Sequence, residues 1–153
     1  MRIGRGRWVV AAVSLMSGGA SFASPGPPPP DYIMASVKRV VPTATATTFD
    51  ASVADLAPDL TVTVNGETVA RDKAAWVATE RHRLGKLDRR VLSYTLGWDS
   101  ILVLDQYDDH SDVPPGAFSD ARPRTRAVRY AFGEDHLVHT IRIVETEGLM
   151  LRP

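Results

Sequence analysis

Three polar side chains in the C-terminal half carry the most chemical promise: Asp105, Tyr130 and His139. Segments 124–132 and 136–145 alternate with strand period on either side of Gly133-Glu134-Asp135, which predicts a hairpin. A turn on Glu134-Asp135 sets Phe132 opposite Leu137, Tyr130 opposite His139 and Val128 opposite Ile141. Side-chain roots in such pairs lie about 5 Å apart. An imidazole near neutrality can give or take a proton, and a phenol can donate to a developing enolate or carbonyl oxygen. The same two groups can instead satisfy one another as a structural pair, because buried polar atoms need partners.

Asp105 enters through a second hairpin, formed by segments 89–96 and 101–109 and turning on Trp98-Asp99. Leu96 then faces Ile101, Tyr94 faces Val103 and Leu92 faces Asp105. A carboxyl on that apolar face is desolvated, which raises its pKa and prepares it as an acid or base. A three-residue turn reverses the assignment and leaves Asp105 beside Ser93 and Thr95. The first of these registers nominates Tyr94 and Val103 as ligand contacts, the Glu134-Asp135 hairpin adds Val128 and Ile141, and a helix over 72–85 adds Trp76.

Other chemistry is excluded by composition or by spacing. Without cysteine there is no disulfide scaffold, zinc–thiolate site or cysteine nucleophile. Eighteen basic against eighteen acidic residues give no net field to hold nucleic acid. Asp105, Asp108, Asp109, His110 and Asp112 resemble hard-cation ligands but lack the acid spacing and central glycine of a calcium loop. The four histidines have no zinc-ligand spacing, so no metal is expected. No glycine-rich phosphate loop and no Gly-x-Ser-x-Gly elbow occurs, so neither a cofactor nor serine hydrolysis is expected.

The elements that must position these residues follow an amino-terminal signal. Arg2, Arg5 and Arg7 precede the apolar run Trp8–Met16 and the small-residue site Ser21-Phe22-Ala23, the pattern of a secretory signal over 1–23. Its removal leaves a mildly acidic chain of net charge −3. The expected destination is periplasmic or extracellular, with no membrane contact after processing. A proline-rich spacer (24–30), one domain (31–147) and a short tail (148–153) follow.

Within the domain, Asp31 is placed to cap a helix that ends before Pro42. A second short helix is expected from Phe49 through Val53 and Leu56, with Thr47 or Thr48 as cap and its end near Pro58. The alternating Leu60–Val64, Asn65-Gly66 and Glu67–Val69 read as a small hairpin. The main helix opens at Asp72 and closes at Gly85, burying Trp76, Val77 and Leu84. Arg81, His82 and Arg83 suit the negative end of its dipole and need no functional role. Residues 111–123 form a loop joining the two later hairpins.

Helices followed by long antiparallel strands predict an α+β domain in which a curved sheet wraps the helices. Phe49, the run Leu56–Gly66, Arg71-Asp72 opening the tryptophan helix, and the paired long strands together resemble the nuclear transport factor 2-like superfamily, and within it the SnoaL-like proteins. The resemblance implies a cone-shaped barrel with a pocket open at one end, often in a homodimer. Such a cone implies a small-molecule ligand of apolar or amphipathic character. Two alternatives stand beside binding: a cofactor-free isomerase, cyclase or dehydratase with His139 as base, Tyr130 as oxyanion donor and Asp105 as orienting acid, or a protein-interaction adaptor. The steroid-isomerase branch carries an acid near the end of the first strand, where Leu60–Gly66 has none.

Overall fold

The structure, a computed structural model, describes residues 27–110 and 123–147. The expected secretory signal over 1–23, most of the expected 111–123 loop and the 148–153 tail lie outside the described residues. In chain order the elements are α1 (Asp31–Val40), α2 (Phe49–Ser52), β1 (Leu56–Val64), β2 (Glu67–Ala70), α3 (Lys73–Arg83), β3 (Leu87–Leu96), β4 (Ser100–Asp109), β5 (Arg124–Phe132) and β6 (Val138–Glu147). None of the described helices is long and apolar enough to cross a membrane.

The helices form where local signals and burial agree. In α1 the stripe Ile33, Ser36, Val37 and Val40 is buried. The capping residue is Pro30 rather than the expected Asp31. The carbonyl of Pro30 accepts from the N–H groups of Ile33 and Met34 at 3.0 and 3.2 Å, while Asp31 sits in the first turn, where a carboxylate suits the positive end of the dipole. In α3, Asp72 Oδ1 accepts from the N–H of Ala75 at 2.7 Å, as a cap should. Trp76 is its fully buried residue, and Val77 is half-buried. The second helix stops at Ser52, a single turn. Leu56 departs from the expected helix because it pairs with Val138 and enters the core as part of β1.

Six strands form one sheet in the order β2-β1-β6-β5-β4-β3. All neighbours are antiparallel except β1 and β6, which run parallel. Leu60 and Val62 of β1, Ile101 and Val103 of β4, Val128 of β5, and Ile141 and Ile143 of β6 pack with Ile33, Val37, Val40 and Trp76 in the core. Register shifts interrupt four of the five strand pairs, and each bulge adds local bend and twist. The result is the curved, open-sided sheet expected of an α+β cone.

Two of these shifts decide which side chains face inward. Between β3 and β4 the pairs Leu96–Ile101 and Tyr94–Val103 form as expected. An extra residue at Leu92 then places Val91 opposite Asp105 and brings Arg89 opposite Tyr107. Between β5 and β6 the loop is longer than a Glu134-Asp135 turn. Gly133 N–H donates to the Leu137 carbonyl at 2.8 Å, and His136 adopts φ +64°. With a further shift between Ala131 and Phe132, Tyr130 faces Ile141 and not His139. Tyr130 is thus displaced by two residues along β6, and His139 is left as the extra residue of the bulge, which corrects the expected Tyr130–His139 pair.

Leu60 is fully buried at the centre of β1. Leu60→Ala is expected to destabilise the domain by about 2–5 kcal/mol, read as a lower midpoint in urea unfolding, and an unchanged midpoint contradicts this packing.

Candidate functional site

A cavity of about 110 Å³ opens between the helices and the inner sheet face. Val40, Phe49, Val53, Leu56, Trp76, Leu84 and Ile141 supply its apolar wall, and Glu80, Arg83, Arg89, Arg126 and Tyr130 its polar part. Trp76, Glu80 and Arg83 are spaced 4 and 3 apart on α3, so one helical stripe carries all three to the cavity. Arg126 and Tyr130 share the inward parity of β5 with Val128.

Asp105 lies behind this polar part with no solvent exposure at all. Arg89 Nε donates to its Oδ2 at 2.5 Å, and Arg126 Nε donates to its Oδ1 at 2.7 Å. Both guanidiniums are nine-tenths buried. Arg89 Nη1 also donates to the carbonyls of Val41 and Pro42, at 3.2 and 3.3 Å, tying the chain after α1 to β3. The Arg126 guanidinium sits over the Tyr107 ring at 4.7 Å. The Tyr107 hydroxyl donates to Glu145 Oε2 at 2.7 Å, and burial followed by that bond raises the phenol pKa. Arg124 bridges Glu145 and Glu147 at 3.3 and 3.0 Å. A charged row therefore crosses the inner face from β3 to β6.

Burial by itself depresses the Arg126 pKa, but Asp105, with Tyr130 and Glu80, opposes it, and the net direction is upward. Of the two registers open to it, Asp105 takes the one on the apolar face, and it arrives there already clamped. Two cations meet one desolvated carboxylate, an arrangement with small net stabilisation whose rupture is costly because it strands buried charge.

Glu80 has a different character. Its side chain keeps 23% exposure, yet Oε1 is shut off from solvent and has no hydrogen-bond partner. Arg83 Nη1 lies 3.6 Å away, too far for a well-formed hydrogen bond. Desolvation raises the Glu80 pKa against the opposing pull of Arg126, Arg83 and Arg89. Arg89 Nη2 is likewise buried without an acceptor. Burial also raises the Tyr130 pKa, and its hydroxyl has no hydrogen-bond partner among the described residues.

The residues nominated from sequence separate into four groups. Trp76, Tyr130 and Ile141 line the cavity. Asp105 backs it, and Val103 and Val128 are core residues outside its lining. Tyr94 is about half exposed on edge strand β3, away from the cavity. His139 points elsewhere: Nδ1 lies 2.8 Å from Asp59 Oδ1 and Nε2 lies 3.0 Å from Asp135 Oδ1. The bond to Asp135, helped by Asp59, raises the His139 pKa. Asp135 is lowered first by the Leu137 N–H and then by His139. His139 and Tyr130 therefore do not form one proton-transfer pair. Among the described residues no three His, Asp or Glu side chains gather to hold a metal ion.

Glu80 and Arg83 escaped the sequence reading because the last turn of α3 was explained by its dipole. Their spacing from Trp76 was the available signal. Arg126 could have been found from its parity with Tyr130. Arg89 could not, since only the bulge at Leu92 turns it inward.

Asp105→Asn is expected to cost about 3–5 kcal/mol in chemical unfolding by leaving two buried guanidiniums short of charge, and a loss below about 1 kcal/mol contradicts the clamp. Glu80→Gln tests the desolvated carboxyl. An acid whose pKa is raised on folding holds more protons folded than unfolded, so stability falls as pH rises from its ordinary value of 4.5 through the folded value. The Gln variant should therefore match the parent below about pH 4 and exceed it in melting temperature at pH 7. Equal melting temperatures at both pH values contradict the assignment.

No family model matches the chain, and no curated protein matches its sequence. Solved structures do. A Jannaschia protein described as a SnoaL-like polyketide cyclase superposes with a TM-score of 0.61 at 14% identity, over 80% of this chain and 91% of that one. A Kribbella flavida protein described as a ketosteroid isomerase gives 0.59 at 14% identity, over 80% and 84%. An LEH-like epoxide hydrolase of M. tuberculosis gives 0.57 at 13% identity, over 76% and 84%. The chain therefore shares the NTF2-like α+β cone fold of these proteins.

Proposed function

We propose that this is an exported domain that binds a compact amphipathic molecule in the mouth of its cone. The observation that carries this reading is a cavity with an apolar wall and three lining residues, Glu80, Arg89 and Tyr130, whose Oε1, Nη2 and hydroxyl have no hydrogen-bond partner among the described residues. Buried polar groups are ordinarily paired, and a ligand's polar end supplies what these lack. The cavity is of the same order as the roughly 150 Å³ that accommodates a benzene molecule in an engineered apolar site. Solved proteins with this fold are named for polyketides, ketosteroids and epoxides, all small molecules. The Arg2–Ala23 signal supports export.

A second reading is favoured by Glu80. A carboxyl whose pKa is raised by desolvation and whose Oε1 makes no hydrogen bond can give or take a proton, and Tyr130 can donate to a developing oxyanion. In this cofactor-free isomerase, cyclase or dehydratase, Glu80 takes the role first considered for His139. Arg89 and Arg126 provide fixed positive charge beside the reacting oxygen.

Ala44 lines the cavity and is half-buried, so Ala44→Trp should obstruct it. Titration with a panel of compact amphipathic molecules should raise the parent's melting temperature. The variant should lose at least about tenfold in affinity, equivalent to 1.4 kcal/mol. The imidazole shifts of His139, followed by NMR, should stay unchanged on binding. Undiminished affinity in the variant, or a large His139 response, contradicts this location.

A further inference from the structure

The charge balance of the cavity narrows the ligand class, on the premise that the cavity binds a small molecule. Arg83, Arg89 and Arg126 line it, and the carboxylates they meet are Glu80 and Asp105. Even with both acids ionised, three cations face two anions. One positive charge is left over. The buried Nη2 of Arg89 still lacks an acceptor, although the same guanidinium uses Nε on Asp105 and Nη1 on two carbonyls. A guanidinium desolvated to this degree gains most from an anionic oxygen, because charge-assisted hydrogen bonds are about twice as strong as neutral ones.

We infer that the cavity takes a monocarboxylate with a compact apolar body, its carboxylate received at Arg89 with Arg126 and Arg83 beside it. Trp76, Leu56 and Ile141 receive the apolar body. Glu80 sets the charge limit. A dianion such as a phosphate monoester would oppose its carboxyl at close range, whereas two carboxyl groups can share a single proton. The Tyr130 hydroxyl, which has no hydrogen-bond partner among the described residues, can donate to the second carboxylate oxygen.

Calorimetric titration of the full chain at pH 7 and low salt with phenylacetate, phenylacetamide, 2-phenylethanol and phenylphosphonate tests this directly. Phenylacetate should bind at least tenfold tighter than the amide or the alcohol, and phenylphosphonate should be weaker than phenylacetate. Added salt should weaken the acid and leave the alcohol unchanged. Arg89→Met should remove the preference for the acid while the alcohol still binds. If that variant does not fold, Arg83→Gln, altered at the half-exposed arginine, should reduce the preference, and the parent's acid-to-alcohol ratio needs no variant. Equal or tighter binding of the alcohol, the amide or the phosphonate overturns the carboxylate assignment and leaves the binding pocket standing. Failure of all four to bind overturns both.

Discussion

Asp105 is the constraint around which the site is arranged. A carboxylate with no solvent contact must have partners, and here they come from two strands flanking its own. Arg126 is its direct cross-strand neighbour, and Arg89 reaches it from β3. Through Arg89 Nη1 the same centre holds the chain at Val41 and Pro42, where α1 ends and the cavity wall begins. One buried charge thus ties sheet to helix and fixes where two guanidiniums present their remaining donors. Its net contribution to stability is modest, since desolvation offsets most of the attraction. Its effect lies in placement.

That placement depends on irregularity in the sheet. A regular β3–β4 ladder would put Leu92 opposite Asp105 and turn Arg89 to the outside. The bulge puts Val91 opposite Asp105 and brings Arg89, in place of Arg90, to the inward position opposite Tyr107, from which its guanidinium reaches the carboxylate. On the far hairpin, the shift near Phe132 has the reverse result: it sends His139 out to Asp59 and Asp135 and leaves Tyr130 beside Ile141. The polar chemistry of the cavity is consequently carboxyl, phenol and guanidinium, with the imidazole working in an external ion-pair cluster.

Much of the architecture was legible beforehand. Asp72 capped the helix it was expected to cap, Asn65-Gly66 turned its hairpin with positive φ at both residues, and β5 runs over the expected Arg124–Phe132. Strand alternation put Tyr130 and Ile141 on one inward face, because burial of one face fixes parity wherever a ladder stays regular, whereas the sequence left the face of Asp105 open between two turn lengths. The errors cluster at bulges and loop lengths. Nothing in the composition of Val91-Leu92-Ser93 announces an extra residue, so Arg89 stayed hidden, and the five-residue connection at Gly133–Leu137 could not be told from a tighter turn. Leu56 moved from helix to strand because a partner distant in sequence, Val138, overrode its local spacing. Glu80 and Arg83 are a separate case: their stripe with Trp76 was visible, but a dipole argument covered it.

The proposed binding of a small anionic amphiphile rests on a clamped carboxylate, an apolar wall and a surplus of positive charge. The desolvated Glu80 leaves proton transfer open to the same cavity. Both depend on the guanidiniums of Arg89 and Arg126 being held in place before any ligand arrives. Exchange of the arginine Nε protons with solvent, followed by nitrogen-resolved NMR on the ligand-free protein, tests that most directly. Arg89 and Arg126 should exchange at least about a hundredfold more slowly than the half-exposed Arg129, as expected where opening requires breaking buried structure. Equal exchange rates at all three arginines would show that Asp105 does not hold its partners and would remove the basis of the site.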